Sequence, residues 1–370
     1  MVIDVRPRLK SISVIRNGAG VVLYRRALQR VYLDDETGSV AELLQVLATG
    51  RHTVAELPAA LRERGVEVTG PEVSAAIAAL DEVGVLERAD TDEGVDPGVR
   101  QRHESNLRYY DLYSDVRRTS ADFQRSVAGA RVLLLGAGGL GSGVLQSLVG
   151  LGVGGVRVVD FDTVEEKNLA RQFAYDRSAL GRRKVDAARD WVARYSPATA
   201  IEAVHERVAD ADAIRRLGAG TDLVVLAVDE PEDIPLLANE ACFDLGVPFV
   251  TGGLQISTLF YWSVQPGVTP CRLCLELNRR NELADDGLLA QERLVRAGRV
   301  NRVCGPVAQL LCGFVALEAL RYLARHDPPV AGAVYHTLDV ADGMRYEREP
   351  WSRHPDCPLC TVATPPGRQA

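Results

Sequence analysis

Six residues, Gly136-Ala137-Gly138-Gly139-Leu140-Gly141, follow the apolar run Arg131-Val132-Leu133-Leu134-Leu135 and open a helical pattern. A second apolar run ends at Asp160-Phe161-Asp162. Strand, glycine turn, helix and strand make a nucleotide-binding βαβ unit and commit this part of the chain to an α/β, Rossmann-like sheet. The glycines permit a tight turn and a close approach of backbone to phosphate. The helix N-terminus supplies partial positive charge, and an acidic residue about twenty positions on can hold ribose hydroxyls. Two further segments, Glu165-Glu166-Lys167-Asn168-Leu169-Ala170-Arg171-Gln172 and Gly181-Arg182-Arg183-Lys184, bring cations and two amides to the same side of the sheet. Phosphoryl chemistry needs fixed cations there, whereas hydride transfer does not.

The seven cysteines sort by spacing. Cys271-Arg272-Leu273-Cys274 and Cys357-Pro358-Leu359-Cys360 form two C-x-x-C pairs, each able to bind one edge of a tetrahedral zinc ion. Their separation makes the zinc a staple that ties the C-terminal tail back behind a strand at residues 258–264. Redox or disulfide use of the pairs is disfavoured in a reducing cytosol. Cys242 and Cys312 fall in apolar helical patterns and read as core residues. Cys304 stands beside Gly305-Pro306.

At 370 residues the chain is too long for one ordinary domain, and 46% hydrophobic residues supply ample core. The net charge of −7, with no basic tract, argues against nucleic acid as a partner. The N-terminus has no apolar segment of signal-peptide type. The most apolar helical stretch, residues 307–323, carries Gln309, Glu318 and Arg321, so no membrane span is expected and the protein reads as cytoplasmic. Among only three lysines, Lys10, Lys167 and Lys184, two lie in the nucleotide motifs.

Residues 1–90 read as a separate domain. Strand-like segments at 11–15, 21–24 and 30–33 precede helical patterns at 39–48, 54–64 and 71–83, then a returning strand at 84–87. Thr53 with Glu56 suggests a capping box, and Gly65 and Gly84 stop their helices. This is a winged-helix order, yet residues 1–90 hold eleven basic and thirteen acidic side chains and so offer phosphate no attractive field. The domain is expected to grip protein. Residues 91–100, acidic and punctuated by Pro97 and Gly98, read as a linker to a third segment, 101–370, that carries the nucleotide and cysteine motifs.

The glycine loop, the 160–172 segment, Lys184 and the run Asp222-Leu223-Val224-Val225-Leu226-Ala227-Val228-Asp229 together resemble the ThiF/MoeB/HesA family of adenylyltransferases, relatives of ubiquitin-activating enzymes. The resemblance spans about residues 105–360. It implies that Gly136, Gly138, Gly139 and Gly141 cradle ATP phosphates and that Asp160, with Asp162 beside it, binds the ribose. It further implies that Asn168, Arg171 and Gln172 meet the phosphates, that Lys184 stabilises charge on the α-phosphate, and that Asp229 holds magnesium. Arg171, Lys184 and Asp229 are the expected catalytic set.

The N-terminal domain resembles the leader-peptide clamps of ribosomal-peptide modification enzymes, in which an extended peptide joins a sheet edge. The chain also resembles peptide adenylyltransferases of the microcin-C type, which share an Asp-x-Pro after the magnesium strand, here Asp229-Glu230-Pro231, and C-x-x-C pairs at corresponding places. This implies adenylation of a precursor-peptide carboxylate by a homodimer. Activation of a ubiquitin-like sulfur carrier, or non-catalytic docking of a leader peptide for a separate cyclase, are the alternatives. Two departures accompany the resemblance. Ser105 stands where the family donates an arginine to the neighbouring subunit, leaving Arg102 or Arg108 as substitutes, and Glu230 follows Asp229 where sulfur-carrier enzymes have asparagine. The family's reactive cysteine would fall near Gly298, where there is no thiol; Cys304 reads as a buried structural thiol, with a covalent role as the alternative. Residues 278–302 read as a mobile crossover above the acceptor site.

Overall fold

The computed structural model describes residues 5–26, 29–90, 95–286 and 303–361. They divide into two compact units, Met1–Arg125 and Ser126–Ala370. In the first, β1 (Pro7–Leu9) precedes an antiparallel sheet of β2 (Ser13–Asn17), β3 (Gly20–Arg26) and β4 (Gln29–Asp34). Helices α1 (Ser39–Thr49), α2 (Leu57–Arg62) and α3 (Gly70–Glu82) follow, and β5 (Leu86–Arg88) returns to pair with β1. Val21 and Leu23 of β3 pack with Leu44, Leu47, Leu57 and Leu61 in one apolar cluster. The β2–β3–β4 register places Val14, Leu23 and Val31 side by side across the sheet, and Ile15, Val22 and Tyr32 on its other face.

Local rules locate most of these elements and misplace several boundaries by two or three residues. α2 begins at Leu57, three residues after the expected start. The Thr53 amide donates to Glu56 Oε2 at 2.8 Å, but no side-chain cap serves the helix, so the capping box there is half formed. The complete box lies at α3, where Thr69 Oγ1 accepts from the Glu72 amide and the Glu72 carboxylate accepts from the Thr69 amide. The β1–β5 pairing was outside the sequence expectation, since Pro7-Arg8-Leu9 carries almost no strand pattern. The last part of the expected linker is helical: Asp96 caps α4 (Pro97–Arg102) by accepting from the Gly98 and Val99 amides, and α5 (Glu104–Tyr110) and α6 (Ser120–Gly129) come after it. Residues 91–94 of the linker lie outside the described residues.

The second unit is an α/β fold built on a sheet of eight strands among the described residues. In chain order its elements are β6 (Arg131–Leu135), α7 (Gly139–Leu151), β7 (Gly155–Val159), α8 (Lys184–Tyr195), β8 (Ala200–Val204), α9 (Ala211–Gly218) and β9 (Leu223–Leu226). Then come α10 (Ile234–Leu245), β10 (Phe249–Gln255), β11 (Thr258–Val264), α11 (Arg272–Asp286), α12 (Gly305–Ala324), β12 (Val334–Asp339), β13 (Arg345–Pro350) and α13 (Pro358–Thr361). The strand order is β13-β12-β11-β10-β9-β6-β7-β8; β8 to β10 are parallel and β10 to β13 antiparallel. Strand order reverses at β6, between β7 and β9, so the crevice where open α/β sheets bind ligands lies at the end of β6.

Residues 278–286 continue α11 instead of forming a crossover, and residues 287–302 lie outside the described residues. α12 is long and apolar enough, by length and composition, to cross a membrane, but 56% of its most apolar window is buried inside the protein. Its Glu318 is wholly buried and accepts from Ser263 Oγ and the Val330 and Ala331 amides.

Candidate functional site

The turn after β6 is tight enough to require its glycines. Gly136 has φ +97°, and a Cβ there would come within 2.3 Å of the Ala227 carbonyl oxygen. A Cβ on Gly141 would come within 1.9 Å of the Gly136 carbonyl oxygen. Gly138 precedes α7 with no side-chain cap, leaving the helix N-terminal amides open to a ligand, and Gly139 lies beneath the Arg171 side chain.

Asp160 organises this turn. Its Oδ2 accepts from the Ala137 amide and its Oδ1 from the Asp162 amide, both at 2.7 Å. Tyr175, buried and absent from the sequence expectations, donates its hydroxyl to the Ala137 carbonyl at 2.8 Å. Burial holds its phenol protonated by raising the pKa. The peptide units on both sides of Ala137 are thereby fixed, which sets the loop before any ligand arrives.

The second motif supplies cations and amides. Asn168 caps a short 3-10 turn, its Oδ1 accepting from the Glu165 amide at 2.9 Å. Arg171 donates to the Lys167 carbonyl at 3.3 Å and, among the described residues, has no carboxylate partner. Gln172 is buried, and its Oε1 has no hydrogen-bond partner, an orphan that asks for a donor. Lys184, at the first position of α8, is 5% exposed, and its Nζ donates to Asp162 Oδ2 at 2.8 Å. Lys184 is thus a nearly buried ammonium held at the end of β7.

Asp229 lies past the end of β9. Crowding of its carboxyl by surrounding protein, then the neighbouring Glu230 charge, raise its pKa above the usual carboxylate range, although the residue as a whole remains solvent-accessible. The Glu230–Pro231 peptide is cis. The expected nucleotide residues therefore gather at the C-terminal edge of the parallel strands. Cys312 and Cys242 are buried, as expected; Cys312 Sγ lies 3.5 and 3.3 Å from the Gly139 and Leu140 carbonyls, so α12 packs directly behind the loop. Cys304, expected to be buried, is instead exposed as the residue just ahead of α12. Ser105 and Arg108 are on α5, with Arg108 ion-paired to Glu104 at 2.8 Å.

The four paired cysteines also meet. Cys271 Sγ is 3.7 Å from Cys274 and 3.5 Å from Cys357, Cys274 is 3.5 Å from Cys360, and all four sulfurs lie within 4.8 Å of one another. Disulfide sulfurs would sit about 2.05 Å apart. Four thiolates around a metal at about 2.3 Å give tetrahedral edges near 3.8 Å, and the donor set fits such an ion. Trp351, whose indole donates to the Cys271 carbonyl at 3.0 Å, holds the tail against this centre.

Residues 110–359 match the ThiF family profile. The molybdopterin-synthase adenylyltransferase of Salmonella typhimurium is 32% identical over 242 residues, 64% of this chain and 89% of that protein. The SAMP-activating enzyme E1 of Haloferax volcanii is 32% identical over 251 residues, 64% of this chain and 82% of that protein. Among solved structures, E. coli MccB with ATP superposes with a TM-score of 0.75 at 16% identity, covering 96% of this chain and 99% of MccB. PaaA superposes with a TM-score of 0.67 at 17% identity, covering 92% and 99%. With the family match extending over most of the chain and its relatives adenylyltransferases, the protein belongs to the ThiF family and is an ATP-dependent adenylyltransferase.

Proposed function

We propose that the protein adenylates a carboxylate of a short ribosomally made precursor peptide, releasing pyrophosphate. The observation that carries this reading is the extent of the likeness. MoeB-type relatives align with 64% of the chain, whereas the MccB fold covers 96% of it, first unit included. MccB has been solved with N-formylated MccA, which supports a peptide as the acceptor. In the first unit, β2 pairs only with β3 among the described residues and is exposed along its length. A peptide could add there as a further strand, main-chain hydrogen bonds giving affinity and side-chain contacts giving register.

At the second unit, the glycine cradle fits a polyphosphate, with Asp160 and Asp162 toward the ribose and Asn168 and the Gln172 amide nitrogen beside the phosphates. The peptide carboxylate oxygen attacks the α-phosphorus, and the bond to the β-phosphate oxygen breaks. Both reacting groups are anionic, so their approach requires charge fixed in advance. Lys184 provides it, held by Asp162, and Arg171 lies over the start of α7 with no carboxylate partner among the described residues. Asp229 would hold magnesium, which supplies further positive charge at the phosphates. Zinc would occupy the four-cysteine centre as a structural ion. The enzyme is read as a cytoplasmic homodimer with domains at 1–90 and 101–370.

A second reading, activation of a sulfur-carrier protein, is favoured by the sequence relatives, including the Thermus thermophilus sulfur carrier protein adenylyltransferase at 31% identity. Against it stand Glu230 after Asp229 and the absence of a thiol near Gly298.

Pyrophosphate exchange into ATP tests the site. Lys184→Ala and Arg171→Ala should each lose about 2–4 kcal/mol of transition-state stabilisation, and Asp229→Ala should abolish exchange. Wild-type rates in all three variants would overturn the site assignment.

A further inference from the structure

The segment after β8 carries Arg207 back over the end of β7. There its guanidinium carbon lies 4.3 Å from the centroid of the Phe161 ring. Arg207 Nη2 also reaches Glu230 Oε2 at 3.2 Å, on the segment after β9. In the sheet order these anchors stand on strands flanking β6. Strands two apart are separated by about 10 Å, so the Phe161–Arg207–Glu230 chain of contacts crosses the mouth of β6 beside the glycine turn.

Phe161 lies between Asp160 and Asp162 and is 42% exposed, so no core demand explains a large aromatic ring there. An exposed ring next to the acids assigned to ribose is placed to stack on a base. The Arg207 and Glu230 side chains are 59% and 74% exposed, and ion pairs of that kind contribute little to stability and exchange readily. A guanidinium held over a ring gains attraction when water is excluded from it.

We propose that Arg207, tied to Glu230, is a positioning residue whose clasp closes over the adenosine half of ATP against Phe161. The inference rests on the nucleotide assignment made above. Opening the Arg207–Glu230 pair admits ATP and releases AMP-containing product; closing it holds the base while Lys184 and Arg171 act on the phosphates.

The test is calorimetric binding of an α,β-methylene ATP analogue and of inorganic tripolyphosphate to the full-length protein. Arg207→Ala should weaken the analogue by about tenfold and leave tripolyphosphate within twofold of wild type. Arg207→Lys, which keeps charge but loses the planar group, should fall between. The double variant Arg207→Ala with Glu230→Gln should be no weaker than Arg207→Ala alone. An analogue affinity unchanged in Arg207→Ala, an equal loss for both ligands, or additive losses in the double variant would each overturn the clasp. The wild-type protein separates the two levels: if it binds neither ligand, the nucleotide assignment itself fails.

Discussion

Asp160 shows how one side chain sets a site. Its two carboxylate oxygens hold the amides of Ala137 and Asp162, and Asp162 in turn holds Lys184. Each Asp160 oxygen keeps acceptor capacity for a ribose hydroxyl. Gly141→Ala should force the turn apart, since its new methyl would meet the Gly136 carbonyl. The expected cost is about 1–3 kcal/mol in denaturant unfolding and about a hundredfold in adenylation rate, from misplaced phosphates. Thiol chemistry separates the remaining cysteines. Burial pushes the Cys312 thiol up to about 11, so at pH 8 it stays protonated and unreactive, and only above its raised pKa does the thiolate dominate. Mass spectrometry after brief alkylation at pH 8 should find the exposed Cys304 modified and Cys312 intact. The glycine spacing and Lys184 were legible because a loop that cradles phosphate leaves a local pattern. Tyr175 and Arg207 were not, because each acts through contacts with residues far along the chain, and no periodicity marks it.

At the scale of elements, hydrophobic runs marked β6, β7 and β9, because strands buried on both faces read as unbroken apolar stretches, whereas β8, half exposed, and β10 were not read. The N-terminal elements were harder. Thr53 and Thr69 each precede a glutamate by three residues, and only the second forms a full box; Pro58 and Leu57 start α2 on their own terms. The antiparallel half of the sheet depends on the cysteine centre, which ties the tail after β13 to the start of α11. Cys357→Ser should lower bound zinc from about one ion per chain to near zero by elemental analysis and lower the unfolding temperature of the second unit, because structural metal binding contributes directly to folding free energy. Zinc retained at the wild-type level would contradict the four-thiolate assignment.

For the whole molecule, two compact units carry separable tasks on the proposed account. The family match begins at residue 110, so the sheet and helices of residues 5–90 lie outside it. Charge excluded an attractive field for nucleic acid from composition alone, but composition holds nothing about which carboxylate is the acceptor. That information resides in shape and edge hydrogen bonds, which a single sequence does not display. Acceptor-dependent exchange of labelled pyrophosphate into ATP, run with the full-length enzyme, tests this most directly. The two acceptors to compare are a short precursor peptide encoded beside the gene and a ubiquitin-like sulfur carrier from the same cell. The account predicts exchange with the peptide, lost when its acceptor carboxylate is amidated, and none with the carrier. Exchange with the carrier and none with the peptide would contradict it.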